Sequence, residues 1–166
     1  NLGRLIDAYD LLCAECGAQW DLVLVGASGW GTDEVTPRLQ RSRPGRVLVT
    51  GHVPRADLPA LLRGASALGY PSLGEGFGLP PLEAMALGCP VVTSNISSLP
   101  EVVGDAAVMV DPRDTEAIAA GLRRVLTDRE LAEELRRRGQ ARARQFTWER
   151  TARETLAVYR KVAGKE

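Results

Sequence analysis

Residues 67–93 read Ala-Leu-Gly-Tyr-Pro-Ser-Leu-Gly-Glu-Gly-Phe-Gly-Leu-Pro-Pro-Leu-Glu-Ala-Met-Ala-Leu-Gly-Cys-Pro-Val-Val-Thr, and their order decides the fold. Ala67 to Pro71 predicts a strand, residues 72–78 a glycine-rich loop, and Leu79 to Leu87 a helix. Pro80 and Pro81 lie in that helix's first turn and Gly88 just beyond its end. Val91 to Thr93 reads as the next strand. The alternation continues outward in both directions. Toward the N-terminus, Leu2, Leu5, Ile6, Tyr9, Leu12, Cys13 and Cys16 recur at helical spacing, ending near Gly17. Asp21–Gly26 and Arg46–Thr50 are short apolar runs, expected as strands covered on both faces. Asp33–Arg43, closed by Pro44-Gly45, is moderately helical, and Asp57 is a candidate cap for a helix through Ala65. Toward the C-terminus, Leu99–Val103 reads as a helical turn or two and Ala107–Val110 as the last strand. Three helices follow, with Asp114, Asp128 and Thr147 as caps.

Strands alternating with helices predict a parallel sheet with helices on both faces. The expected architecture over residues 1–166 is one Rossmann-like, three-layer α/β/α domain with a mostly parallel sheet. The alternation opens on a helix, whereas such a unit begins with a strand. The first strand, central in a doubly wound order, is therefore expected to be missing and the chain to be part of a longer protein.

Composition narrows the class without naming a function. The chain has 166 residues, 45% apolar and 25% charged, as in an ordinary globular domain. Lys+Arg and Asp+Glu both number 21, so no global field draws the chain to nucleic acid or an anionic membrane, and an anionic ligand must be held by local geometry. No apolar run approaches the ~18 residues of a membrane span, and the expected location is cytoplasmic. Cys13 and Cys16 form a Cys-x-x-Cys pair, but the remaining candidate ligands are one cysteine, Cys89, and one histidine, His52. A zinc site is therefore not expected, and both thiols are read as core residues of the first helix.

The chemistry lies in the loop. Gly74, Gly76 and Gly78 allow close approach of a ligand to the backbone, and the helix from Leu79 adds unpaired N–H groups and the positive end of its dipole. Together they predict an anion site suited to a phosphate or to sugar hydroxyls. Glu75 and Glu83 frame it. With Leu82, Met85 and Ala86 expected in the core, Glu83 is expected on the loop side, where a carboxylate can accept two hydrogen bonds from a vicinal diol such as ribose. Taken singly, each glutamate would be an ordinary exposed acid. The spacing Glu-Gly-Phe-Gly-Leu-Pro-Pro-Leu-Glu between strand and helix is too specific for a plain connection.

Glu75 and Glu83, with seven residues between them, resemble the E-x7-E motif of retaining glycosyltransferases of the GT-B fold, family 4 (group 1). Gly51-His-Val-Pro54, Tyr70-Pro-Ser72, Pro90–Asn95, Leu99–Asp105, Val110-Asp-Pro112 and Phe146-Thr-Trp148 agree with that pattern. The resemblance covers essentially the whole chain and implies the C-terminal, donor-binding half of such an enzyme. It implies that Glu83 binds the ribose and that Glu75 lies beside the transferred sugar as the catalytic carboxylate. It further implies that the amides of Gly76, Phe77, Gly78 and Leu79 hold sugar hydroxyls and the diphosphate, and that His52 and Val53 lie along the base. Gly26 is a further candidate in a loop closing over the donor. The implied donor is a GDP-, UDP- or ADP-sugar, with no cofactor and no metal. The family pattern also has a Lys and an Arg at the diphosphate. The Lys opens a Lys-Asn-Leu sequence, whereas this chain begins Asn1-Leu2, and the segment expected to carry the Arg is absent. An N-terminal acceptor domain is likewise expected to be missing, so weak or no transfer is expected of this chain alone.

Other signals carry less. Gly26, Gly29 and Gly31 have the wrong spacing for a dinucleotide fingerprint. The arginines from Arg136 to Arg144 lie near glutamates at helical spacing and read as a solvated face, without a nucleic-acid partner. Trp148, Leu156, Tyr159 and Val162 form an apolar stripe on the last helix (147–164), expected to pack on this domain. The resemblance instead implies a crossing to the N-terminal domain, and a homodimer of this chain is the third way to cover the stripe. Peripheral membrane association of the whole protein is one further partner reading. Two rival functions are a non-catalytic sugar-nucleotide binding module and a GT-B-like epimerase.

Overall fold

The computed structural model describes residues 1–27, 35–41 and 45–164. Gly29, Gly31, Asp33, Arg43 and Pro44 lie outside them. In chain order the elements are α1 (Leu2–Cys16), β1 (Leu22–Val25), α2 (Val35–Gln40), β2 (Val47–Gly51), α3 (Leu58–Gly64), β3 (Leu68–Tyr70) and α4 (Leu79–Ala86). They continue with β4 (Val91–Ser94), α5 (Leu99–Val103), β5 (Val108–Val110), α6 (Thr115–Thr127), α7 (Arg129–Ala143) and α8 (Trp148–Val162). Strand–helix alternation is borne out, and every strand pair is parallel.

The sheet is not continuous. β1 pairs with β2, and β3, β4 and β5 form a second ladder in that order. The doubly wound order 3-2-1-4-5-6 maps onto this arrangement as β2-β1, a central place, then β3-β4-β5. The strand at the centre of that order has no counterpart among the described residues, so the expected single sheet is corrected to two ladders, each with an open edge at β1 or β3.

Two apolar clusters cover the larger ladder. On one face Val92, Val108 and Val110 meet Ile118, Leu122 and Val125 of α6 and Leu5, Ile6, Tyr9 and Leu12 of α1. Gly121 lets α6 lie directly on the strands, since a Cβ there would stand 2.8 Å from Val110 Cγ1. On the other face Val91 meets Ala84, Met85 and Cys89 from α4 and its C-terminal turn, together with Val103 of α5. Helices on both faces give the three-layer α/β/α architecture.

The expectation that β1 and β2 are covered on both faces fails. β4 is buried at every residue, but Val23, Val25, Leu48 and Val49 are exposed, because α2 and α3 bury none of their residues against the smaller ladder. On α4 the core face is Pro81, Ala84 and Met85, with Leu82 partly covered; Ala86 is exposed, contrary to expectation. The i, i+3, i+4 spacing from Pro81 accounts for that face. Cys13 is buried and Cys16 half-buried as core thiols, and Cys13, Cys16 and Cys89 are all free. Asp114, Asp128 and Thr147 cap as expected, accepting from the backbone N–H of Ala117, Leu131 and Arg150. Asp57 does not; its backbone is already helical and its carboxylate takes no cap bond. α8 buries no residue, so its stripe does not pack on this domain, and Trp148 is 79% exposed. The arginine stretch is only partly a solvated face: Arg137 and Arg138 pair with Glu134, but Arg142 donates to the carbonyls of Glu101 and Val102. No helix among the described residues is long and apolar enough to cross a membrane.

Candidate functional site

The segments after the five strands all leave the carboxyl edge of a parallel ladder, where ligands bind in open α/β sheets. Gly26 follows β1, His52 and Val53 follow β2, residues 72–78 follow β3, residues 95–98 follow β4, and Asp111 and Pro112 follow β5. Asn1, at the start of α1, joins this edge: its Nδ2 donates to the carbonyls of Pro71 and Pro112 at 2.8 and 2.7 Å. Gly26 and Gly51 are linked by a backbone bond of 3.0 Å at the ends of β1 and β2. His52 is exposed and Val53 half-buried.

The loop that opens α4 is held by hydroxyls. Ser97 Oγ accepts from the N–H of Glu75 at 3.1 Å and lies 2.8 Å from its carbonyl, within donating distance. Ser98 Oγ lies 3.1 Å from the same carbonyl and 2.8 Å from that of Phe77, so its single proton serves one at a time. Ser97 has φ +61°, an uncommon conformation for a side-chain-bearing residue, and it turns the chain after β4 back onto the loop. The Phe77 ring meets Phe146 edge-on at 5.8 Å between centroids, and the Arg142 guanidinium covers the Phe146 ring at 4.9 Å. No acceptor among the described residues takes the N–H groups of Gly76, Phe77 and Gly78. Together with the start of α4 at Leu79 they form a ridge of free donors.

The two carboxylates differ. Glu75 is half-buried, and its Oε1 accepts from Tyr70 Oη at 2.7 Å and Ser72 Oγ at 2.8 Å. Burial, and next the bond to Glu75, push the Tyr70 phenol well above its ordinary pKa, so it remains a donor through neutral pH. Glu83 stands in the second turn of α4, away from the core face. Its side chain is 49% exposed, and its Oε1 lies 3.9 Å from Nη2 of Arg55, in the segment after β2. That contact brings Glu83 next to the segment after β2, which also carries His52 and Val53.

Glu75, Gly76, Phe77, Gly78 and Leu79 lie in the loop that opens α4 and Glu83 one turn further along the helix, 3.9 Å from Arg55 in the segment that also carries His52 and Val53, while Gly26 ends β1. Sequence reasoning did not single out Asn1, Arg55, Ser97 or Ser98, and it quoted Tyr70 and Ser72 only as surroundings of the motif. The hydroxyls of Ser97 and Ser98 act across more than 20 residues; the one local signal was the polar run Ser94-Asn-Ile-Ser-Ser98 ahead of a helix. No group of three or more metal-ligating side chains occurs among the described residues.

In sequence and overall fold the chain is similar to known proteins. Residues 1–142 match the model of the family described as glycosyl transferases group 1. The chain is 44% identical over 161 residues to O-antigen chain mannosyltransferase B of Escherichia coli, covering 96% of this chain and 42% of that protein. It is 42% identical over 113 residues to the MMP alpha-(1->4)-mannosyltransferase of Mycolicibacterium hassiacum, covering 66% of this chain and 28% of that one. Among solved structures, sucrose-phosphate synthase from Thermosynechococcus elongatus superposes with a TM-score of 0.79 at 27% identity, over 100% of this chain and 44% of that one. Anabaena Alr3699/HepE in complex with UDP-glucose gives 0.79 at 26%, over 93% and 44%. The chain spans less than half the length of these relatives. With the family model matching most of its residues on a fold shared with GT-B enzymes, the chain belongs to the group 1 glycosyltransferases.

Proposed function

We propose that this chain is the donor-binding domain of a retaining glycosyltransferase that uses a nucleotide-diphospho-sugar. One observation supports the reading: Glu83 lies within 3.9 Å of Arg55 in the segment after β2, one turn along the helix that opens at the loop bearing Glu75 and the free amides. Glu83 accepts the ribose hydroxyls, with His52 and Val53 along the base. The amides of Gly76, Phe77, Gly78 and Leu79 receive the diphosphate and sugar hydroxyls, and Gly26 borders the donor. Glu75 lies against the transferred sugar and stabilises positive charge as it develops. In the transfer step the bond from the anomeric carbon to the diphosphate oxygen breaks, and its electron pair leaves with the diphosphate. The acceptor oxygen bonds to the same face of that carbon, and its proton passes to the departing diphosphate. Relatives named as mannosyltransferases and a neighbour bound to UDP-glucose support a hexosyl donor. The acceptor and the rest of the catalytic geometry belong to the longer protein.

Calorimetric titration with GDP, UDP and ADP tests the proposal. Glu83→Ala is expected to weaken the preferred nucleotide about 10–100-fold, equivalent to ~1.4–2.8 kcal/mol. An unchanged affinity removes the ribose assignment.

A further inference from the structure

Glu75 is held more completely than a loop acid requires. Tyr70 Oη and Ser72 Oγ both converge on its Oε1, at 2.7 and 2.8 Å. A carboxylate oxygen offers two lone-pair sites, so Oε1 is filled and Oε2 is the oxygen left for a ligand. Ser72 Oγ also lies 3.2 Å from the carbonyl of Gly74, but its single proton favours the shorter contact to the charged oxygen. The clamp is itself anchored in the core. Thr93 Oγ1 donates to the carbonyl of Tyr70 at 2.9 Å and Ser94 Oγ to that of Ser72 at 2.5 Å, and both donors are fully buried on β4. Glu75 is therefore fixed at its main chain by Ser97 and Ser98 and at its side chain by two hydroxyls that rest on the central strand of the larger ladder.

We infer that Tyr70 and Ser72 are positioning residues that lock one oxygen of Glu75 and so turn the other toward the donor's sugar, which makes them determinants of sugar recognition rather than of nucleotide binding. This rests on the proposed role of Glu75. A plain loop staple would steady the whole anion site and affect nucleotide and nucleotide-sugar alike. A clamp on Glu75 affects only the affinity contributed by the sugar.

The test compares GDP with GDP-mannose, and UDP with UDP-glucose, by calorimetry on the 166-residue chain and its variants, with thermal melts to check folding. Tyr70→Phe removes one hydroxyl and keeps the ring; Ser72→Ala removes the other, and Ser72→Thr retains it. Each of Tyr70→Phe and Ser72→Ala is expected to weaken the preferred nucleotide-sugar about 10-fold while leaving its free nucleotide unchanged, and Ser72→Thr to restore binding. Equal losses for both ligands, or no loss for either, overturn the inference. Nucleotide-sugar affinity that is the same in the wild-type chain and in the Glu75→Ala variant overturns it too, leaving the ribose reading intact. A wild-type chain that binds neither ligand, or one that is indifferent to Glu83→Ala, sinks the functional proposal and this inference with it.

Discussion

Gly78 is the residue on which the loop turns. Its φ of +111° lies where side-chain-bearing residues are rarely found, and a Cβ there would stand 2.7 Å from Cδ2 of the fully buried Leu99. Gly78→Ala is therefore expected to cost about 1–3 kcal/mol from the backbone alone, with displacement of Leu99 added. Gly76→Ala is the matched control: nothing lies within 4 Å of its Cβ position and its φ is not positive, so folding stability is expected to shift by no more than about 0.5 kcal/mol. Urea denaturation of the two variants checks the contrast. Three glycines in a row of alternate positions looked equivalent in the sequence, yet only Gly78 needs the freedom of its backbone. Gly74 and Gly76 leave open space where a ligand can approach. The carboxylates were legible because their spacing bound them to the loop and helix. The groups that hold Glu75 were not, because the Tyr70 bond, five residues away, follows no periodicity and the Ser97 and Ser98 bonds to its main chain span more than 20 residues.

At the scale of the elements, most of the layout was legible because each boundary carries a local chemical reason. Prolines in the first turn and Gly88 just past the end delimit α4, and acids or threonine delimit the last three helices. Asp128 closes α6 and caps α7 at once, with an extended backbone (φ −100°, ψ 99°) and its Oδ1 2.9 Å from the N–H of Leu131. Asp57, with φ −93° and ψ −19°, makes no such bond. Asp128→Ala is therefore expected to lower stability by about 0.5–2 kcal/mol and Asp57→Ala by much less, as measured by chemical denaturation. A capping residue type in the right place is a necessary signal only; the preceding turn decides whether its backbone is extended. The exposure of β1 and β2 had no local signal either. Continuous apolar runs report what a strand can bury, while the covering layer is set by other elements, and here the described residues of α2 and α3 include none that is fully buried.

Across the whole molecule, burial on both faces of the larger ladder makes stability depend on alkaline pH. Cys89 closes the turn after α4, 2% exposed beneath the α4 layer, and burial pushes its thiol up to about 11 even though Arg136 and a backbone bond act in the opposite direction. Burial likewise raises the thiol of Cys13 in the other cluster. A raised folded-state pKa means that the native state keeps a proton which the unfolded chain loses first. The corresponding stability is therefore whole below about pH 9 and disappears as pH climbs through about 11. For Cys89 alone the loss is on the order of 2–3 kcal/mol across that window, because a tenfold difference in acidity between folded and unfolded thiol is worth about 1.4 kcal/mol. Comparing wild type with Cys89→Ala in urea at intervals from pH 8 to pH 11 isolates this share. Lost packing in the variant lowers stability by the same amount at every pH, whereas removal of the thiol flattens the slope. Parallel curves for the two proteins would mean that Cys89 ionises as freely in the fold as outside it, and the buried layer between α4 and β4 would have to admit solvent.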